Sequence, residues 1–280
     1  MRTLRTVAEV RAALHGPRSE GRTIGLVPTM GALHEGHLSL IRRAREDCDE
    51  VVVSLFVNPA QFDEASDLAA YPRDEARDAE LSADAGADLM WAPPVEEVYP
   101  PGFATTIRVG GLTEVLEGAR RPGHFDGVAT VVTKLFNVVG PDVAYFGQKD
   151  AQQLAVIRRL VRDLDLPVRI EALPTVREPD GLALSSRNVR LGPGERERAT
   201  ALSRALTAAA GAAEAGAPLE EVRAAALAQL GEAQIEPEYL ALVDPETFGP
   251  PNGALLIAVA ARVGATRLID NRLVDRQGGT

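Results

Sequence analysis

The stretch Ile24-Gly25-Leu26-Val27-Pro28-Thr29-Met30-Gly31-Ala32-Leu33-His34-Glu35-Gly36-His37 reads as a short buried strand, a glycine-containing turn, and a helix that opens with two histidines three residues apart. Ile24 to Val27 is an apolar run of strand length, and Pro28, which has no N–H to give, is expected to end its ladder. Gly31 and Gly36 are expected to let the backbone approach a ligand. Beyond them Leu38, Leu40, Ile41 and Ala44 recur at helical period, with Arg42, Arg43 and Arg45 between. His34 and His37 therefore stand at a helix N-terminus. There the first N–H groups and the positive end of the helix dipole attract anions, and two imidazoles add donors for phosphate oxygens.

Outward from this stretch the pattern repeats. Strands are predicted at Thr23 to Val27, Val51 to Val57, Leu89 to Trp91, Val143 to Phe146 and Val168 to Leu173. Helices are predicted between them at Leu38 to Asp47, Arg73 to Ala85, Val128 to Val139 and Gln152 to Leu164. Such alternation predicts an α/β fold, a doubly wound, Rossmann-like parallel sheet with helices on both faces and ligands at the strands' carboxyl ends. Thr105 to Val109 reads as a further short strand or edge piece. Proline and the Asp180-Gly181 turn signal interrupt the periodicity at Pro174 to Gly181, which places a boundary between domains 1–175 and 176–280. The second is expected to be a smaller α+β domain, with helices at Glu195 to Ala215 and Leu219 to Leu230. Its strands are expected at Glu238 to Val243, Ala254 to Ala260 and Thr266 to Asp270, and the whole is suited to close as a lid.

Composition narrows the function classes. A chain of 280 residues, 45% apolar and 25% charged, is long enough for two cores and ordinary for a soluble protein. A net charge of −10 argues against nucleic acid as a partner. No apolar run reaches the length of a membrane span and the N-terminus has no secretory pattern, so a cytoplasmic location is expected. Cys48 alone cannot form an intramolecular disulfide and is read as a small core residue.

Three further motifs carry chemistry. Asn58-Pro59-Ala60-Gln61-Phe62 puts two amides at a strand's carboxyl end, fit for a substrate with a carboxylate and hydroxyls, although Asn58 in a turn also bonds its own backbone. Phe146-Gly147-Gln148-Lys149-Asp150-Ala151-Gln152-Gln153 lies at a second strand-to-helix switch. There Gly147 admits a nucleotide, Lys149 supplies a cation for phosphate, Asp150 accepts from ribose hydroxyls, and Gln153 follows Asp150 by one helical turn. Leu184-Ser185-Ser186-Arg187-Asn188 offers hydroxyls and a guanidinium to a polyphosphate. Arg120-Arg121-Pro122-Gly123-His124 reads as a segment that flanks a phosphate or supports a subunit contact, with His124 at a helix start.

Together these motifs resemble, in order and spacing from Pro28 to Asn188, the pantothenate synthetases, a subgroup of the nucleotidyl-transferring enzymes related to class I aminoacyl-tRNA synthetases. The resemblance implies ATP-dependent condensation of pantoate with β-alanine through a pantoyl adenylate, with Mg²⁺ at metal ligands the motifs do not name, in a homodimer. It makes His34, His37, Lys149, Ser185, Ser186 and Arg187 catalytic. It adds Met30, Gly147, Asp150, Val176 and Leu184 to the ATP site, and gives Asn58, Gln61 and Gln153 to pantoate. Leu184 stands where the family usually has methionine, a swap of similar volume. A dinucleotide-forming adenylyltransferase leaves Gln61 and Gln153 without a role, as does a non-catalytic nucleotide-binding regulatory module. A metal-dependent hydrolase built on His34 and His37 lacks a third ligand at motif spacing.

Overall fold

The computed structural model describes residues 1–63 and 65–275, so the last positions of the region expected to form the second domain, 276–280, lie outside it. The chain forms two compact units, one of Met1–Gln148 with Val156–Pro174, the other of Lys149–Ala155 with Thr175–Thr280.

The first unit runs β1 (Arg2–Leu4), α1 (Val7–Ser19), β2 (Ile24–Thr29), α2 (Glu35–Asp47), β3 (Glu50–Leu55), a 3-10 turn at Pro59–Gln61, α3 (Ala65–Ala69), α4 (Glu75–Asp84) and β4 (Leu89–Trp91). It continues through α5 (Val95–Val98), α6 (Leu116–Arg120), α7 (His124–Val139), β5 (Val143–Gly147), α8 (Ala151–Asp163), whose first turn belongs to the second unit, and β6 (Arg169–Leu173). The strands make one parallel six-stranded sheet in the order β1-β4-β3-β2-β5-β6. From β2 the chain works outward to β3 and β4, then returns to the other side for β5 and β6. The reversal puts a switch point between β2 and β5, where open α/β sheets bind ligands beyond the strands' carboxyl ends.

β2 and β3 are buried along nearly their whole length, as strands covered on both faces must be. α2 turns Leu40, Ile41 and Ala44 inward, while α7 is buried almost all round, each such Val or Leu contributing about 1.5–3 kcal/mol. Cys48 is a core residue, its Sγ 3.3 Å from the Tyr145 hydroxyl, and burial pushes its thiol up.

Two expectations are corrected. β2 does not end at Pro28 but pairs through Pro28 and Thr29 with Ser54 and Leu55. The proline is tolerated because β2 pairs with β5 only at Gly25 and Leu26, so beyond them its missing N–H breaks no ladder on that side. Thr105 to Val109 joins no described ladder, and its Ile107 N–H donates to Thr130 Oγ1 at 2.9 Å instead. β1 and α1 were not anticipated, although Thr6 and Glu9 form a capping box whose spacing is present in the sequence.

The second unit carries a 3-10 turn at Ser186–Arg190, α9 (Pro193–Glu214), α10 (Leu219–Glu232), β7 (Pro237–Val243), β8 (Ala254–Val263) and β9 (Thr266–Asp275). The strands pair antiparallel in the order β7-β8-β9. Small residues Ala199, Ala205 and Ala209 alternate with Leu202 and Leu206 on the buried face of α9, packed with Ile257 and Val259 of the sheet.

Candidate active site

His34 is the N-cap of α2, and its backbone N–H donates to His37 Nδ1 at 3.4 Å. The two rings lie 4.1 Å apart, tilted by 34°. Because Nδ1 of His37 accepts, a neutral ring carries its proton on Nε2. A Cβ on Gly36 would lie 2.9 Å from Cε1 and 3.0 Å from Nδ1 of His34. That glycine makes room for the imidazole.

The loop before it is held from outside. Gly31 and Ala32 both have positive φ, at 86° and 53°. Asp78 of α4, buried to 1% exposure, accepts from Ala32 N–H at 2.9 Å and Leu33 N–H at 2.8 Å. Those amides are therefore spent within the protein. The expected anion binding in this segment rests on the histidines and the first turn of α2 rather than on the loop.

Asn58 and Gln61 form a small network beside it. Asn58 Oδ1 accepts from Tyr99 Oη at 2.7 Å and Ala60 N at 3.3 Å, and its Nδ2 donates to Gln61 Oε1 at 3.0 Å and Gly127 O at 3.2 Å. With its amide engaged in this way, Asn58 sets which way the Gln61 amide faces. Gln61 Nε2 points to Met30 Sδ at 3.2 Å, joining the segment after β3 to the loop after β2. His124 Nδ1 and Arg121 donate to the Gln61 carbonyl at 2.8 and 3.3 Å. Behind them Gly127 lets α7 touch the 3-10 turn, for its Cβ would sit 2.2 Å from Ala60 O. Burial pushes the Tyr99 phenol up to about 12. Gly147 ends β5, the other strand at the switch point.

The remaining predicted residues lie in the second unit. Lys149 is half-buried, with Nζ 4.0 Å from Asp150 Oδ1, and its carbonyl accepts from Asn271 Nδ2 at 2.8 Å. Gln153 follows in the first turn of α8, half-buried. Val176 O accepts from Leu184 N at 3.0 Å, and Glu178 N donates to Leu182 O at 2.9 Å, which closes a hairpin with Gly181 at φ 91°. Arg177 grips Asp270 with both guanidinium nitrogens at 2.7 and 3.0 Å, and Arg196 grips Glu178 at 3.0 and 2.7 Å. Glu178 also accepts from Asn188 Nδ2 at 3.0 Å, and Ser185 Oγ accepts from Arg187 N at 3.2 Å. The Ser185-Ser186-Arg187 segment is thus already shaped as a capped 3-10 turn, and Leu184 keeps its main-chain bond in place of the usual methionine.

Met30, His34, His37, Asn58, Gln61 and Gly147 are therefore carried by the first unit, and Lys149, Asp150, Gln153, Val176 and Leu184 to Arg187 by the second. Sequence reading missed Asp78, Tyr99, Gly127 and Asn271, which act on the expected residues from a distance along the chain. Among the described residues no helix is long and apolar enough to cross a membrane.

A family model described as pantoate-beta-alanine ligase matches residues 2–273. The pantothenate synthetase of Paracoccus denitrificans is 57% identical over 96% of both chains, and that of Heliobacterium modesticaldum 54% identical over 98% of this chain and 100% of its own. Among solved structures, the pantothenate synthetase of Thermus thermophilus superposes with a TM-score of 0.92 at 52% identity, covering 97% of this chain and 99% of the other. The pantoate-beta-alanine ligase of Francisella tularensis, solved with a β,γ-ATP compound and β-alanine, matches with a TM-score of 0.83 at 33% identity, covering 100% and 99%. With a match that spans both units and identities this high along the whole chain, the protein belongs to the pantoate–β-alanine ligase family, the ATP-dependent ligases that make pantothenate.

Proposed function

We propose that the ligation runs in two steps through a pantoyl adenylate. The pantoate carboxylate attacks the α-phosphorus of ATP and expels pyrophosphate; the amine of β-alanine then attacks the activated carbonyl and expels AMP. No covalent bond to the protein is needed, so the side chains act by positioning and by stabilising charge. His37, with its Nε2 proton, and His34 serve the triphosphate, together with Lys149, Ser185, Ser186 and Arg187. Met30, Gly147, Asp150, Val176 and Leu184 complete the nucleotide site, Asp150 at the ribose. Gln61 and Gln153 hold pantoate, with Asn58 acting chiefly by orienting Gln61.

The observation that carries this reading is the contact of Gln61 Nε2 with Met30 Sδ. It supports a carboxylate bound by Gln61 beside a nucleotide bound after β2. The test is isotope exchange of pyrophosphate into ATP with pantoate present and β-alanine omitted. Exchange is expected; a strict need for β-alanine overturns the two-step order.

The described residues include no cluster of three or more His, Cys, Asp or Glu able to hold a metal ion. This donor set fits Mg²⁺ carried by triphosphate oxygens and water rather than by a protein cage. Bound with the triphosphate, such an ion would neutralise phosphate charge beside Lys149 and Arg187. The resemblance further supports a cytoplasmic homodimer in which the region from residue 176 closes on the nucleotide as a lid, and light scattering across concentration tests the dimer.

A further inference from the structure

We infer that Asp78, which no motif of the reaction includes, is a positioning residue for the nucleotide half of the site. The inference rests on the ATP role of His34 and His37 given above. A buried carboxylate must be satisfied to be tolerated, and here its two oxygens take the N–H groups of consecutive residues, Oδ2 from Ala32 and Oδ1 from Leu33. Ala32 holds φ 53°, a conformation that a non-glycine residue keeps only when its surroundings impose it. Gly31 before it could not carry a side chain, since a Cβ would meet Asp78 Oδ2 at 2.9 Å and Leu55 Cδ1 at 3.0 Å. Asp78 thus fits into the concave face of the loop as an internal acceptor for both amides.

The consequence concerns what reaches the ligand. The loop is folded around a carboxylate from α4, and this delivers Met30 at one end and the His34 cap of α2 at the other. Without that carboxylate two amides would turn toward water or toward phosphate, and the His34 and His37 pair would lose its fixed entry angle. Asp78 touches no substrate; it acts through the backbone.

The test compares Asp78→Asn with Asp74→Ala. Asp74 caps the same helix by accepting from Arg77 N at 3.1 Å and makes no hydrogen bond to the loop. Asp78→Asn places a donor against two N–H groups, and is expected to raise KM for ATP about tenfold and to slow pyrophosphate exchange while the pantoate dissociation constant, read by calorimetry without ATP, holds. Asp74→Ala is expected to lower Tm and leave KM for ATP alone. Equal shifts in KM for ATP in both variants, or none in Asp78→Asn, overturn the proposal. A measurement on the unaltered protein keeps it falsifiable should Asp78→Asn not fold: the Ala32 and Leu33 amides are expected to resist hydrogen exchange without ligand. Protection that arises only on adding ATP would assign the loop's shape to the nucleotide and sink the role of Asp78. His37→Ala is run alongside. Normal exchange there takes down the nucleotide site itself, whereas impaired His37→Ala with normal Asp78→Asn takes down only the positioning role.

Discussion

Gln61 Nε2 donates toward Met30 Sδ across 3.2 Å, and the same glutamine's Oε1 is held by Asn58 Nδ2 at 3.0 Å. The amide is thereby turned so that its donor faces the loop after β2 and its acceptor faces inward. A donor presented this way selects for oxygen acceptors, carboxylate or hydroxyl, and against an amine.

Gln61→Ala should accordingly raise the pantoate dissociation constant strongly while calorimetric ATP binding stays near wild type. Tyr99→Phe removes one of the two bonds to Asn58 Oδ1 and should cost about 1 kcal/mol of stability. Its KM for pantoate should rise about 3- to 10-fold through a loosened Gln61. An unchanged KM in Tyr99→Phe would show that Asn58 needs no help to orient its neighbour.

Gly36→Ala sets a methyl group within contact of the His34 ring. Since α2 tolerates alanine at its first turn, the thermal midpoint should change little. Pyrophosphate exchange should fall by as much as about 10²-fold, the cost of misplacing a group by about 1 Å. A crystal structure of the variant with His34 unmoved and exchange unchanged would refute the reading of that glycine.

Lys149→Ala should slow pyrophosphate exchange by about 10²- to 10³-fold, the usual loss when one charge-stabilising donor is removed. Pantoyl adenylate supplied ready-made should be turned over with β-alanine at a rate much nearer to wild type, because pyrophosphate is then absent. Equal damage to both half-reactions would assign the lysine to general structure.

Alkaline stability carries a further signature. The Tyr99 phenol is pushed from 10.0 up to about 12 by burial, so the folded state keeps a proton that the unfolded chain releases. Its contribution is whole below pH 10 and is lost as pH rises through about 12. In denaturant titrations over this window Tyr99→Phe should lose stability less steeply than wild type. Burial pushes Tyr145 upward as well, and it is common to both proteins, so the difference between the slopes isolates Tyr99.

The doubly wound sheet could be read from periodicity because its central strands are long, apolar and separated by helices of ordinary length. Leu89 to Trp91 was found as it stands, whereas β1 is too short and exposed to give a periodic signal. Pro28 misled because a proline's effect depends on whether a neighbour strand lies on its N–H side, which is a fact of topology. The motif residues stand out in the sequence as candidates for chemistry, since His, Lys and Gln at strand ends have few structural uses. Their supports were not. Asp78 sits on a helix surface pattern like any other acid, Tyr99 lies in a proline-flanked loop, and Gly127 looks like a poor helix residue until the turn it touches is in place.

The loop after β2 is short in sequence, yet the bonds that shape it come from 46 and 45 residues away. The motif from Pro28 to His37 is therefore not a portable cassette. Grafted onto another strand–helix junction, or released early in synthesis before α4 has docked, it would carry both histidines and every glycine and still lack its conformation. The shape of the loop belongs to the assembled unit, since it depends on a contact with α4 that lies far along the chain.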